Sequence, residues 1–202
     1  MTSTVPVTSK LPDIGVSIFA VQTRLANEHK AINLSQGFPD FDCDPALVDA
    51  VAKAMRDGHN QYAPMPGVLV LREALSTKIE KLYGRRYDPV TEITVTTGST
   101  EGLFATITAL VHPGDEVYEH IIFDDRRHES LLRYPDLRAR SVVISSFGKT
   151  FHTTGWKVGY CVGPQPLIAE VTRVHQFITF TVHTPSQIAF AEFVKKDRKS
   201  VV

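Results

Sequence analysis

The sequence predicts an α/β fold: a mostly parallel sheet with flanking helices. Three observations point that way. β-branched residues alternate over 92–97 and run into the turn Gly98-Ser99-Thr100, which opens a helical pattern. A second β-branched run, 141–146, ends at Phe147-Gly148-Lys149-Thr150 and is followed by a third strand-like stretch, 156–162. Apolar residues at helical spacing stand before, between and after these runs.

The elements follow in order. Residues 1–13 are rich in Ser, Thr and Pro and read as an extended arm, and Ile18, Val21, Leu25 and Ala26 then recur as on a helix. Residues 36–42 pack turn formers around Phe38 and Phe41 and read as a loop. The next helix has both ends written in: Asp44 caps it, Pro45 suits its first turn and Gly58 its left-handed stop. Leu47, Val48, Val51, Ala54 and Met55 form its expected buried stripe. Val68, Leu71, Leu75, Ile79 and Leu82 mark a further amphipathic helix that ends at Gly84. Helical patterns over 166–180 and 186–194 precede a charged end. No internal repeat is present.

Composition narrows the function classes. The chain has 202 residues, with 22 Lys+Arg balancing 22 Asp+Glu, and 43% hydrophobic content suited to a packed core. A zero net charge gives no basic face for displacing counterions from a nucleic acid. Cys43 and Cys161 stand in no disulfide or zinc spacing, and the histidines, His120, His152 and His175 among them, stand in no ligand spacing. No metal site is expected, and these three histidines read as packed or surface groups. Without a signal-like start or a membrane-length apolar run, the expected setting is cytoplasmic, away from any membrane.

Two places carry chemistry. A Gly-Ser-Thr turn between strand and helix gathers backbone N–H groups, hydroxyls and the positive helix end, which together seat a phosphate. Alone, such a turn is most often a plain helix cap, and the GxxxxGK[ST] spacing of a nucleotide loop is absent. The second place is Lys149. A lysine in a turn between apolar strands, partly desolvated and near a second cation at Lys157, becomes a usable amine nucleophile toward a carbonyl.

Five segments then resemble, in order, the fold type I pyridoxal-phosphate aminotransferases, within the methionine and kynurenine aminotransferase group. They are Asn33-Leu34-Ser35-Gln36-Gly37-Phe38-Pro39-Asp40-Phe41, Asn60-Gln61-Tyr62-Ala63-Pro64-Met65, Glu92-Ile93-Thr94-Val95-Thr96-Thr97-Gly98, Asp115-Glu116-Val117-Tyr118-Glu119-His120 and the window around Lys149. The resemblance covers the chain from Leu11 to Val194. It implies an incomplete large domain of that fold over 45–194. Residues 1–44 would form an arm and part of a small domain that is otherwise largely missing, and 195–202 a charged tail foreign to the family.

The resemblance also implies roles. Lys149 would hold pyridoxal 5′-phosphate covalently and then move a proton at the substrate α-carbon. Ser99, Thr100, Ser146 and Lys157 would bind the phosphate, Asp115 would pair with the pyridinium nitrogen, and Tyr118 would hydrogen-bond the ring hydroxyl. Gly37 would face the substrate carboxylate, and Tyr62 would reach the phosphate of a neighbouring subunit in a homodimer. The substrates would be an amino acid, such as methionine, an aromatic one or kynurenine, and a 2-oxo acid. A C–S β-lyase on the same cofactor and a catalytically silent remnant are the alternatives.

One departure stands out. Relatives have two separate Asp-Glu-Val segments, whereas here Pro113-Gly114-Asp115-Glu116-Val117-Tyr118 serves as both. An internal deletion of roughly three βαβ-sized units of about 30 residues explains this. The cofactor-stacking aromatic and the arginine that grips the substrate carboxylate fall outside the sequence, so impaired turnover is expected. Exposed sheet edges, and with them poor solubility or dependence on a partner, are expected as well.

Overall fold

The computed structural model describes residues 16–35, 41–110 and 134–196. The chain divides into two compact units, residues 1–40 and 41–202. In the first, α1 (Ile18–Glu28) starts where the Ser17 hydroxyl accepts from the Ala20 N–H. The Asn33 amide donates to Thr23 Oγ1 at 3.1 Å and folds the following segment back onto the helix.

The second unit opens with α2 (Pro45–Arg56), whose N-terminus is held by Asp44 Oδ1 accepting from the Ala46 N–H at 2.9 Å. Gly58 follows in the left-handed region, φ +91°, as its place after the helix predicts. The stripe is narrower than expected: Leu47 and Ala54 are buried, whereas Val48 and Met55 are exposed. Helix α8 packs against this face. Helix α3 (Leu69–Tyr83) ends at Gly84 with φ +70°, and its Leu71, Leu75 and Ile79 are buried.

Strand β1 (Ile93–Thr96) leads through Gly98 directly into α4 (Gly98–Leu110). After the short α5 (Pro135–Arg138) come β2 (Val143–Ser146) and the single-turn α6 (Phe147–Thr150). A 3₁₀ turn at Thr154–Trp156 precedes β3 (Gly159–Val162), and α7 (Gln165–Ile178) and α8 (Thr184–Lys196) complete the unit.

The α/β class holds, but the pairing of the sheet differs from the mostly parallel one expected. Its order is β1-β3-β2, and both pairs are antiparallel. The link from β2 to β3 contains only α6 and the 3₁₀ turn, too little for the helical crossover that parallel neighbours need. Strands β1 and β2 therefore run in the same direction, separated by β3. The third strand also starts later than the 156–162 pattern implies, because Lys157 sits in the left-handed region at φ +52°.

The alternation along the strands builds three layers. Ile93, Val95 and Val162 join Leu71, Leu75, Phe147 and Phe190 in the main core with α3 and α8. Cys161 on the other face packs with Ala105, Ile168 and Val171 of α4 and α7. Thr94 on that face meets the Thr172 hydroxyl at 2.7 Å, so its buried oxygen is satisfied.

Candidate functional site

The same direction of β1 and β2 sends their C-terminal ends, and the helices that follow, to one end of the sheet. Open α/β sheets bind ligands at such an end. The cross-strand register fixes the layout, since Gly159 at the start of β3 lies opposite Thr96 on one side and Ser146 on the other. No side chain separates this row from the turn beyond it. A methyl on Gly159 would lie 2.8 Å from both the Gly98 carbonyl carbon and the Ser99 nitrogen, and 2.6 Å from the Ser145 carbonyl oxygen. The Gly98 turn therefore rests directly on the middle strand.

Gly98 itself has φ +71°, a conformation that suits glycine, and its carbonyl accepts from the Thr96 hydroxyl at 3.0 Å. A methyl there would meet Lys157 Cε at 3.4 Å and Nζ at 3.5 Å, so the lysine amine lies against the turn. Ser99 is half-buried and Thr100 exposed in the first turn of α4, whose leading N–H groups have no partner within the helix. Ser146, half-buried, ends β2, and its Oγ lies 3.3 Å from where a methyl on Gly148 would stand. The structure thus brings Ser99, Thr100, Ser146 and Lys157 to one end of the sheet.

Lys149 follows Ser146 by less than one helical turn. Its helix is anchored by the Phe147 N–H donating to the Val158 carbonyl at 3.0 Å and by the Phe147 ring stacked on Phe190, centroids 4.6 Å apart. The expectation of a partly desolvated amine needs correction, because Lys149 is exposed. Phe147 and Gly148 occupy the buried face of the single turn, which leaves Lys149 on the open one. Lys157, the second cation, lies with its amine against Gly98.

Tyr62 is 80% exposed and meets the Phe180 ring edge-on at 5.8 Å. Gly37, Asp115, Tyr118 and His120 lie outside the described residues. Of the other histidines, His152 is exposed and His175 is fully buried.

Titratable groups around the site follow burial. Desolvation, reinforced by the nearby Glu101 carboxylate, pushes the Cys161 thiol up to about 12, and burial raises the Tyr160 phenol as well. Burial lowers the Arg72 guanidinium, which donates to the Gly67, Pro89 and Val90 carbonyls and ties the loops on either side of α3.

Sequence reasoning missed Glu101 and Gly159, and read His175 only as a packed or surface group, which its burial matches. Glu101 Oε2 accepts from the Thr97 N–H at 3.0 Å and so caps the phosphate turn. A glutamate three residues after the opening glycine of a helix is a weak capping signal. A lone glycine inside a strand pattern signals close backbone approach, which is what Gly159 provides.

The residues present fit the phosphate end of pyridoxal 5′-phosphate. A side-chain-free cradle at Gly98, faced by a lysine amine and flanked by hydroxyls at a helix start, is the donor set that a phosphoryl group takes.

Comparisons with known proteins identify the family. The family model "Aminotransferase class I and II" matches residues 29–122 and, separately, 114–200. Residues around Asp115 thus serve two places in the family's sequence, as a chain lacking the stretch between them requires. A methionine aminotransferase of Escherichia coli is 38% identical across 94% of this chain and 71% of the relative. That alignment runs over 275 positions, more than this chain of 202 residues has, so an internal stretch of the relative has no counterpart here. A kynurenine–oxoglutarate transaminase of Dictyostelium discoideum is 26% identical across 95% of this chain and 68% of its own. Among solved structures, an E. coli protein whose crystal structure identified a methionine aminotransferase function superposes with TM-score 0.86 at 37% identity, covering 98% of this chain and 74% of that one. The N-succinyldiaminopimelate aminotransferase of Mycobacterium tuberculosis superposes with TM-score 0.84 at 27% identity, covering 96% and 73%.

Proposed function

The chain belongs to the class I and II aminotransferases, enzymes that work with pyridoxal 5′-phosphate, and from that premise we propose that it moves the amino group of a methionine-like amino acid to a 2-oxo acid. The observation that carries this reading is the Lys157 amine lying against the Gly98 turn, at the sheet end where Ser146 and Lys149 also stand. The E. coli methionine aminotransferase, at 38% identity, supports the choice of donor.

In this reading Ser99, Thr100 and Ser146 donate hydroxyl hydrogen bonds to the phosphate while Lys157 supplies a point charge. When bound, the cofactor supplies an electron-withdrawing ring that acidifies the amino acid's α-proton. The Lys149 amine would anchor the cofactor and then serve as the base that holds the proton of the substrate α-carbon, from its place on α6. Asp115 keeps the ring nitrogen protonated and Tyr118 orients the ring hydroxyl. Gly37 faces the substrate carboxylate through its backbone. Tyr62, exposed on its loop, reaches the phosphate held by a second copy, so the working unit is a cytoplasmic homodimer. The missing internal stretch leaves turnover impaired.

Titration of the chain with pyridoxal 5′-phosphate, followed by absorbance, tests the reading against Lys149→Ala and Lys157→Ala. Lys149→Ala is expected to abolish the protein-specific band, and Lys157→Ala to weaken binding by about tenfold or more, the loss of one charged contact. Identical spectra for all three would overturn it. Incubation with methionine and a 2-oxo acid, beside a cysteine conjugate, reads the reaction: a new amino acid marks transamination, and pyruvate with a thiol marks β-elimination instead.

A further inference from the structure

We propose that His175 and Glu101 form a buried positioning pair that couples the phosphate turn to the segment carrying Tyr62, so that the two phosphate contacts are set together. The functional half of this inference rests on the reading above; the coupling itself rests on hydrogen bonds.

Residues 61–68 are held in a strap. The Thr184 hydroxyl donates to the Gln61 carbonyl at 2.8 Å, the Thr181 hydroxyl to Ala63 at 3.2 Å, and His175 Nε2 lies 3.2 Å from the Met65 carbonyl. Three alternate carbonyls thus face α7, the turn that follows it and the start of α8, as in an extended chain read along one edge. The Pro66 carbonyl accepts from the Val95 N–H of β1 at 3.0 Å, and Gln187 closes the strap by accepting from the Val68 N–H at 2.8 Å. Tyr62 is left pointing outward.

Of these supports only His175 also touches the phosphate turn. Its Nδ1 is 3.1 Å from Glu101 Oε1 and 3.1 Å from the Thr179 hydroxyl, while the other carboxylate oxygen of Glu101 holds the Thr97 N–H just before Gly98. The chain of contacts runs Met65 carbonyl, imidazole, carboxylate, Thr97 amide. His175 is wholly buried and Glu101 is 8% exposed, so water does not replace a lost link without cost. A carbonyl only accepts, which puts a proton on Nε2. The contact between Nδ1 and Oε1 then needs one more proton, carried by the ring or by the carboxyl.

This geometry separates positioning from charge. In Glu101→Gln the amide oxygen can take the Thr97 N–H and the amide nitrogen can donate to a neutral imidazole, which rebuilds both links. In Glu101→Ala and in His175→Ala the bridge is cut.

Amide hydrogen exchange on the full chain tests the coupling without cofactor. Glu101→Ala is expected to speed exchange about tenfold or more at 97–101 and also at the Gly67 and Val68 amides of the strap, the loss of one buried hydrogen bond. Glu101→Gln is expected to stay within about threefold of the wild type at both. Acceleration confined to 97–101, or a Gln variant as loose as the Ala variant, overturns the proposal. Should the alanine variants fail to fold, nuclear magnetic resonance of the ring decides. A slowly exchanging imidazole N–H from His175 is expected in the wild type and in Glu101→Gln, and its absence in both overturns the proposal. With pyridoxal 5′-phosphate added, Glu101→Ala and His175→Ala are expected to lose about tenfold in affinity and Glu101→Gln little. A wild type that binds no cofactor would count against the function proposed above, while the exchange pattern still decides the coupling.

Discussion

Replacing Gly159 by alanine tests whether the phosphate turn is held by direct backbone contact with the middle strand. The added carbon would stand 2.6 Å from the Ser145 oxygen and 2.8 Å from Gly98 C and Ser99 N, short of the 3.4 Å floor of ordinary contact by roughly 0.6 to 0.8 Å. All three neighbours are backbone, so no side chain can swing aside; either the sheet opens or the turn at Gly98 lifts off it. Overpacking of this kind costs about 1–3 kcal/mol. On the proposed function a lifted turn would also withdraw a donor from the phosphate, and a charge-assisted hydrogen bond is worth about 1.5–3 kcal/mol, hence an expected loss of roughly 10- to 150-fold in affinity. Gly155→Ala is the control, with nothing within 4 Å of the new methyl, and should unfold within about 0.5 kcal/mol of the wild type. Urea unfolding and absorbance titration with pyridoxal 5′-phosphate read the two effects. A Gly159→Ala chain as stable as Gly155→Ala, binding as the wild type does, refutes the reasoning.

Further outcomes follow from other contacts. Gly67→Ala, at φ +99° with a methyl 2.5 Å from Val95 Cγ2 and 2.7 Å from its Cβ, should cost about 2–4 kcal/mol in urea unfolding, whereas Gly58→Ala, with open space around it, should cost only the left-handed strain of about 1–2 kcal/mol. Phe190→Ala removes the ring stacked on Phe147 at 4.6 Å and Phe151 at 5.6 Å, and should cost about 3–5 kcal/mol by the same assay. Because folding raises the Cys161 thiol from 9.0 to about 12, the folded chain keeps a proton there that the unfolded chain releases. Stability from this group is complete below pH 9 and falls by about 1.4 kcal/mol per pH unit as pH rises from there toward 12. Urea unfolding across that range should show the slope, with Tyr160 adding to its upper part, and Cys161→Ala should reduce it. A thiol reagent near neutral pH should label half-buried Cys43 and spare buried Cys161 until urea is added.

What the sequence discloses and what it hides divide along the range of the interactions concerned. The start of α2 is legible because its cap, Asp44 to the Ala46 N–H, spans two residues. The ends at Gly58 and Gly84 are legible because a positive φ singles out glycine. The candidate phosphate residues are legible because Gly98-Ser99-Thr100 is itself a local signature. The exposure of Val48, Met55 and Lys149 depends on how far neighbouring elements extend over them, which no periodicity reports. The antiparallel sheet depends on which strand inserts between β1 and β2. The His175–Glu101 contact joins residues 74 apart in sequence, so neither residue announces the other.

The same division explains how the phosphate end can persist in a chain that lacks an internal stretch of its family's sequence. Thr96, Gly159 and Ser146 form one row across the sheet, with β1 and the start of α4 before the junction at Asp115 and β2, α6 and β3 after it. What joins them is the ladder, not the connection. The entropy of closing that connection changes slowly with its length, about 0.6 kcal/mol per doubling, so a shortened link leaves the pairing of β1 and β2 with β3 almost unaffected. Asp115 and Tyr118, by contrast, fall in the junction itself, within the residues that both family matches share. The row of Thr96, Gly159 and Ser146, with the Lys157 amine against Gly98, is thus held by direct contacts between residues on either side of the junction.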